Sequence, residues 1–387
     1  MREYQNALCA IFMVSGLVTM VGAVQDVDVT SGFIDDSYPG HDLEERGKSL
    51  YKEILPSDLD IPFNPERHLA LQDPGRFVSL AQLGYDDSIS HRTVSHVAYS
   101  TPFRMLSDEG VEVLQRVLTL LEKYSRSSER IPSMVRGGVF RSQFIRGLAT
   151  DPSISQFVSR HFNVSVVPHT IPHQLAHINY APKELGRAVD LWHVDNVALD
   201  YVLFTTNTLD LEGGAFEVFR GTREEAALLH SQNLSLPPNR IDQWKAPAGY
   251  AILQQGHHVV HRAAPLLAPA KRVTFVNSFV PKDPNFPEAS APRILRAVDD
   301  ENVVATEWAL HRALRARAQL NSLIAQSDYS RPTEFYLERI KAIRDDLTAA
   351  YDLLLPENEG KEDHFGGHHD TKEKRVDASE NQEREEL

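Results

Sequence analysis

The chain has 387 residues, 42% of them hydrophobic, with 40 Lys and Arg against 54 Asp and Glu and a single Cys. That length holds about two domains, or one with additions; the apolar fraction excludes wholesale disorder, and a net charge of −14 argues against a nucleic-acid-binding surface. The lone thiol, Cys9, excludes an internal disulfide framework and a Cys-rich zinc module, so any metal must be held by His and carboxylates.

In chain order, Ala7 to Ala23 is apolar throughout and closes on Val21-Gly22-Ala23 before the polar Gln25-Asp26. Residues 1–23 read as a secretory signal peptide. An uncleaved signal anchor is the alternative, because an apolar run of this length barely spans a bilayer. It is the only long apolar run, so the chain does not cross a membrane repeatedly, and no stable span is expected once the signal is removed. Residues 24–135 form a mixed, partly helical region, irregular with short helices up to about residue 100. A helix over 107–124 is then capped by Ser107 and carries Val111, Leu114, Val117, Leu118 and Leu121 at helical spacing. A second helix is predicted over 150–161 around Ile154, Phe157 and Val158.

From about residue 163 the texture changes to short β-rich runs: VSVVPHTI, HQLAHINY, DLWHVD, DYVLFTT, GAFEVF, GYAILQQ, HVVHRA and RVTFVNSFV, separated by turn residues such as Gly213-Gly214. Strands at that pitch indicate a sandwich, jelly roll or barrel, placed at 136–285. Residues 286–356 are helical, with amphipathic stretches over 302–326 and 333–355. Residues 357–387 hold 11 acids against 5 bases and read as a disordered acidic tail. The tail ends in Arg384-Glu385-Glu386-Leu387, which resembles a retrieval signal for the endoplasmic reticulum lumen. Secretion or signal anchoring is the alternative location. Asn163-Val-Ser165 and Asn233-Leu-Ser235 are glycosylation sequons, too common by chance to add weight.

The sharpest local signal is Trp192-His193-Val194-Asp195. In a strand, residues two apart face the same side, so one imidazole and one carboxylate would point at one place. Gly256-His257-His258-Val259-Val260-His261 offers a third ligand from another strand, His261 or, failing that, His258. Two His and one carboxylate make the facial triad that holds non-haem Fe(II) and leaves positions open for substrate and dioxygen. A rival lies in His169, His173 and His177, where His173-Gln-Leu-Ala-His177 mimics a zinc-protease helix. That helix needs Glu where Gln174 stands, and Pro172 interrupts it.

The order His193-x-Asp195, Gly213-Gly214, Gly249, His261 and a basic residue opening Arg272-Val-Thr-Phe-Val resembles the iron(II)/2-oxoglutarate-dependent dioxygenases of prolyl-hydroxylase-like type, over about a third of the chain, 171–285. The resemblance implies an α+β fold: a double-stranded β-helix (jelly-roll) core flanked by N-terminal and C-terminal helices. It implies His193, Asp195 and His261 as iron ligands, and a basic residue on the last strand for the distal carboxylate of 2-oxoglutarate. Arg272 is favoured there, since its fork matches a carboxylate and it shares a face with Thr274, a second cosubstrate-site residue; Lys271 is the alternative. Tyr180 stands where similar enzymes often place a Tyr on the cosubstrate. The resemblance further implies dioxygen and 2-oxoglutarate as co-substrates, ascorbate as a supporting reductant, and hydroxylation of a C–H bond with release of succinate and CO₂. The compartment suggests Pro or Lys of secretory-pathway proteins, although small-molecule hydroxylases share the same core. Two other readings stand beside this one: a cupin-type jelly-roll metal protein without 2-oxoglutarate, and a non-catalytic β-sandwich binding protein.

Overall fold

The computed structural model describes residues 43–352 except 52, 288 and 291, together with 354, 355 and 365. The signal segment 1–23 and the terminus Arg384–Leu387 lie outside the described residues, as does all of the acidic tail but Phe365. No helix among the described residues is long and apolar enough to cross a membrane.

Helices α1 (Leu43–Leu50) and α2 (Pro65–His68) lead to strands β1 (Phe77–Ser79), β2 (Val97–Ser100) and β3 (Phe103–Arg104). Helix α3 (Asp108–Leu121) begins where Ser107 accepts a hydrogen bond from the Gly110 N–H, and buries Val113, Leu114, Val117, Leu118 and Leu121. After β4 (Met134–Val135) and the short α4 (Gly138–Arg141) come α5 (Gln143–Thr150) and α6 (Pro152–Phe162). Asp151 caps α6 and Pro152 starts it, which separates it from α5.

Strands β5 (Val166–Pro168), β6 (His177–Tyr180), β7 (Asp190–His193), β8 (Leu199–Phe204) and β9 (Phe216–Phe219) follow. Helix α7 (Arg223–Ser231) intervenes before β10 (Ile241–Trp244), β11 (Tyr250–Gln254), β12 (His261–Ala263) and β13 (Val273–Pro281). Among the described residues the last elements are α8 (Pro292–Val298), α9 (Glu301–Gln326) and α10 (Thr333–Asp352).

The strands form two antiparallel sheets. A nine-stranded sheet runs β1-β2-β11-β8-β13-β6-β4, with β3 on β11 and β5 on β13, and a four-stranded sheet runs β10-β9-β12-β7. Val202 and Phe204 of β8 and Ile252 of β11 pack against Phe216 and Val218 of β9, so the two sheets meet face to face. The alternate residues Tyr201, Leu203, Ala251, Leu253, Phe275 and Phe279 face the other way, into a core shared with α3, α5 and α6. Period-two alternation thus divides one sheet between two apolar layers.

Two features depart from the sequence reading. Residues 24–100, expected to be irregular with short helices, contribute β1 and β2, and β3 and β4 follow before residue 136, so the large sheet draws strands from both sides of that border. These strands are two to four residues long, too short to show alternation. β10 was also missed: Ile241-Asp-Gln-Trp244 is polar at its centre and is a strand because it pairs with β9 at the sheet edge.

Gly110 lies in the first turn of α3, where a Cβ would come 2.3 Å from the backbone oxygen of His68. Helix propensity alone favours Ala over Gly by about 1 kcal/mol. Here the fixed backbone contact reverses the sign, and Gly110→Ala should lower the melting temperature by several degrees in a thermal denaturation.

Candidate metal centre

β7 and β12 are antiparallel neighbours, and His193 and His261 stand directly opposite each other in that pair. Their ring centroids are 4.2 Å apart. Each Nδ1 donates to a backbone carbonyl two residues before it, His193 to Leu191 at 2.6 Å and His261 to Val259 at 2.9 Å. A carbonyl can only accept, so the proton is fixed on Nδ1 and both Nε2 atoms are left as ligands.

Both Nε2 atoms lie 3.3 Å from the Asp195 carboxylate, one on each oxygen. His193, Asp195 and His261 are the group of metal-ligating side chains found among the described residues. The expectation that His193 and Asp195 project from one strand needs a correction, because β7 ends at His193. Asp195 lies just beyond, where its backbone N–H donates to the Gly256 carbonyl at 2.9 Å and Gln254 Nε2 donates to its side chain at 2.9 Å. The convergence survives through that tether to the loop after β11. His258 is excluded: its Nε2 bonds the Arg92 carbonyl at 3.0 Å, away from the other ligands.

Burial works against the charge on Asp195, but His261 and His193 outweigh it and hold the carboxyl well below its usual range. Burial pushes His261 down to about 4, so at neutral pH its imidazole is unprotonated and able to ligate. Behind Asp195 sits Asp200 on β8, fully buried. Burial first and the Asp195 charge second raise its pKa far above the usual value, which keeps it protonated. A Cβ on Gly256 would lie 2.3 Å from Asp200 and 2.6 Å from Asp195, so the two acids close on the space that only a glycine leaves.

Arg272 immediately precedes β13 and is 1% exposed. Its Nε donates to the Gly214 carbonyl at 2.7 Å, while both terminal nitrogens are buried without a hydrogen-bond partner. Burial lowers its pKa only to about 10, so it remains a cation. Arg272, Thr274 and Val276 share one face and line the cavity that holds His193, Asp195 and His261. Lys271 is exposed and reaches Thr119 at 3.0 Å.

Tyr180 is corrected by the register. On β6, Asn179 pairs with Thr274 and His177 with Val276, and both line the cavity. Tyr180 and Ile178 therefore face the helical core, where the Tyr180 hydroxyl donates to the Leu118 carbonyl at 2.7 Å. The His169/His173/His177 zinc reading fails as well. Pro172–Gln174 is a single tight turn, His173 is held by Tyr51 and Glu307, and His169 bonds Ser290. Asn179, Gln254 and Asp200 escaped the sequence reading; the parity of β6 and β13 would have pointed to Asn179.

No family profile matches this chain, and no curated protein does. Among solved structures it is similar to several 2-oxoglutarate-dependent oxygenases. EctD of S. alaskensis, solved with 2-oxoglutarate and 5-hydroxyectoine, aligns at a TM-score of 0.36 and 15% identity over 56% of this chain and 81% of its own. HygX of Streptomyces hygroscopicus, with nickel and 2-oxoglutarate bound, aligns at 0.36 and 12% over 55% and 89%. AviO1 of Streptomyces viridochromogenes aligns at 0.38 and 16% over 56% and 99%. At these scores the likeness decides nothing about chemistry, which rests on the site itself.

Each of His193→Ala, Asp195→Ala and His261→Ala removes one of three ligands. Each should lose bound Fe(II) in a metal analysis of purified protein while far-ultraviolet circular dichroism is retained. Normal iron stoichiometry in all three would remove the assignment.

Proposed function

We propose that this chain is an Fe(II)- and 2-oxoglutarate-dependent oxygenase that oxidises a C–H bond of its substrate. The observation that carries the reading is the Arg272 guanidinium, buried with both terminal nitrogens unpaired in the cavity that also holds the His193–Asp195–His261 cluster. A buried guanidinium with both terminal nitrogens unmet is costly and calls for an anion. The donor set fits the metal as well, because two imidazole nitrogens and one carboxylate with further room suit non-haem Fe(II). Strands β6 to β13 shuttle between the two sheets in an order we read as a double-stranded β-helix.

Iron with 2-oxoglutarate bound would supply activation of dioxygen, with succinate and CO₂ as by-products of substrate oxidation. The chain's own residues do the rest. His193, Asp195 and His261 hold the metal, their directions set by the Leu191 and Val259 carbonyls and by Gln254. Arg272, its Nε anchored on Gly214, presents a planar fork to the distal carboxylate. Thr274 and Asn179 offer polar atoms beside it, and Val202, Phe216 and Val276 keep that end dry. Ascorbate as a supporting reductant belongs to the same proposal. A Pro or Lys side chain of a secretory-pathway protein is the substrate the chain termini suggest, and a small molecule is the substrate the cavity favours, as argued below.

Arg272→Ala removes a charge-assisted bidentate pair worth about 2–5 kcal/mol. It should raise the KM for 2-oxoglutarate at least about thirtyfold in a succinate-release assay while iron content holds, and Lys271→Ala should leave KM within about twofold. If neither change moves KM, the cupin-type alternative takes over.

Residence in the endoplasmic reticulum lumen is inferred from the sequence signals alone. Residues appended after Leu387 should mask the terminus and increase secretion into the medium. Unchanged secretion would end that inference.

A further inference from the structure

A second cavity adjoins the metal centre, sharing Arg130, His177, Asp195 and Val276 with it. It opens away from Arg272, between Asp195 and helix α8, whose Ile294, Leu295 and Val298 form its outer wall. Its polar lining includes Arg136, Gln174, His177 and Ser278. Arg136 is 8% exposed, and one of its terminal nitrogens is buried without a hydrogen-bond partner. The Nε2 of His177 is likewise buried and unpartnered. These are the marks of a site built for a polar group that the protein does not itself supply.

The charges specify which group. Asp299, directly after α8, is ion-paired with both Arg126 and Arg136, the latter at 2.8 Å. Arg130 is paired with Asp190 at 3.1 Å. Arg126 is 41% exposed and its charge is met by solvent, so the unmet donor inside the cavity is the unpartnered terminal nitrogen of Arg136. A carboxylate would meet that donor with one charge, whereas a dianion would set a second charge against the Asp195 carboxylate in the same lining. Size is limited as well. The cavity holds about 50 Å³, and Asp299, 2% exposed at its side chain, fixes the end of the α8 wall through its two arginines, so the room suits a small group.

We propose that this cavity binds the carboxylate of a small-molecule substrate, with Arg136 as its cation and His177 beside it. The proposal rests on the oxygenase reading, since it places the substrate next to Asp195 and apart from the cosubstrate cation Arg272.

The test uses the full chain loaded with Zn(II) and saturated with 2-oxoglutarate, so that no turnover intervenes. Propionate, propionamide and inorganic phosphate are titrated separately, with binding read by ligand-detected NMR. Propionate should bind at least tenfold more tightly than either of the others. Asp299→Asn, which keeps the shape and removes the competing charge, should tighten propionate binding several-fold, and Arg136→Gln should abolish it. Should Arg136→Gln fail to fold, Asp299→Asn and the propionate–propionamide comparison still decide. Arg272→Gln, measured without 2-oxoglutarate, should retain propionate binding. Equal binding of propionamide, preference for phosphate, no response to Asp299→Asn, or loss of propionate binding in Arg272→Gln would each overturn the proposal. Metal-dependent 2-oxoglutarate binding, measured on the same wild-type sample, reports separately on the oxygenase reading.

Discussion

The most demanding constraint in this molecule is the guanidinium ion of Arg272, sealed at 1% exposure with a single hydrogen bond. Removing such an ion from water costs several kcal/mol even after relaxation, and one bond to a carbonyl does not offset it. The surroundings are arranged around that cost. Gly214, at φ +67°, brings its carbonyl to Nε and leaves room for the side chain, since a Cβ there would lie 3.3 Å from Arg272 Cδ. Lys271 takes the outward position, so one cation of the pair is buried and the other solvated. The unmet terminal nitrogens open into the same cavity as the His193–Asp195–His261 cluster, which is why the proposed anion belongs there.

A second tension lies at the other side of the cavity, where two carboxyl groups meet. Two carboxylates at that distance cannot both ionise in a buried site. The fold resolves this by asymmetry. Asp195 faces the two imidazoles and is held ionised, whereas Asp200 sits deeper without a cation and is held neutral. The Gln254 amide lies on Asp195 and leaves the carboxylate directed between His193 and His261. Gly256 permits the crowding, so residues outside the cluster set the direction of the Asp195 carboxylate.

How much of this was legible in the sequence depends on what each residue needs from its neighbours. His193 and His261 could be read because short strands carry them, and Asp195 because it follows His193 two residues on in a run whose order matched, although it lies just past the end of β7. Alternation showed that only one of Lys271 and Arg272 can face in, and the guanidinium fork with Thr274 on its face favoured Arg272 without settling it. Tyr180 went wrong by the same rule: the side that β6 turns to the cavity is set by its register with β13, which puts Asn179 opposite Thr274, and register is a tertiary fact. Asp200 and Gly256 lie 56 residues apart and carry no motif; only the pairing of β8 with β11 brings them together. The strands before residue 136 failed because two to four residues cannot display a period.

The C-terminal helices belong to the same argument. Trp308 of α9 is fully buried with Ile171, Leu295 and Val304, and its indole N–H donates to the Ala350 carbonyl of α10. Arg312 and Arg315 share Asp346 across the same helix pair. The hairpin of α9 and α10 is thereby one rigid piece, and it seats α8 through Leu295. Asp299 then ties the end of α8 to Arg126 and Arg136, which flank β4. The helical region read over 286–356 thus supplies, through α8, the outer wall of the cavity beside Asp195. Its grip passes through the same guanidinium that has a nitrogen to spare. The anion proposed for this cavity would share that cation with Asp299, so the cavity and the hold on α8 meet at one residue.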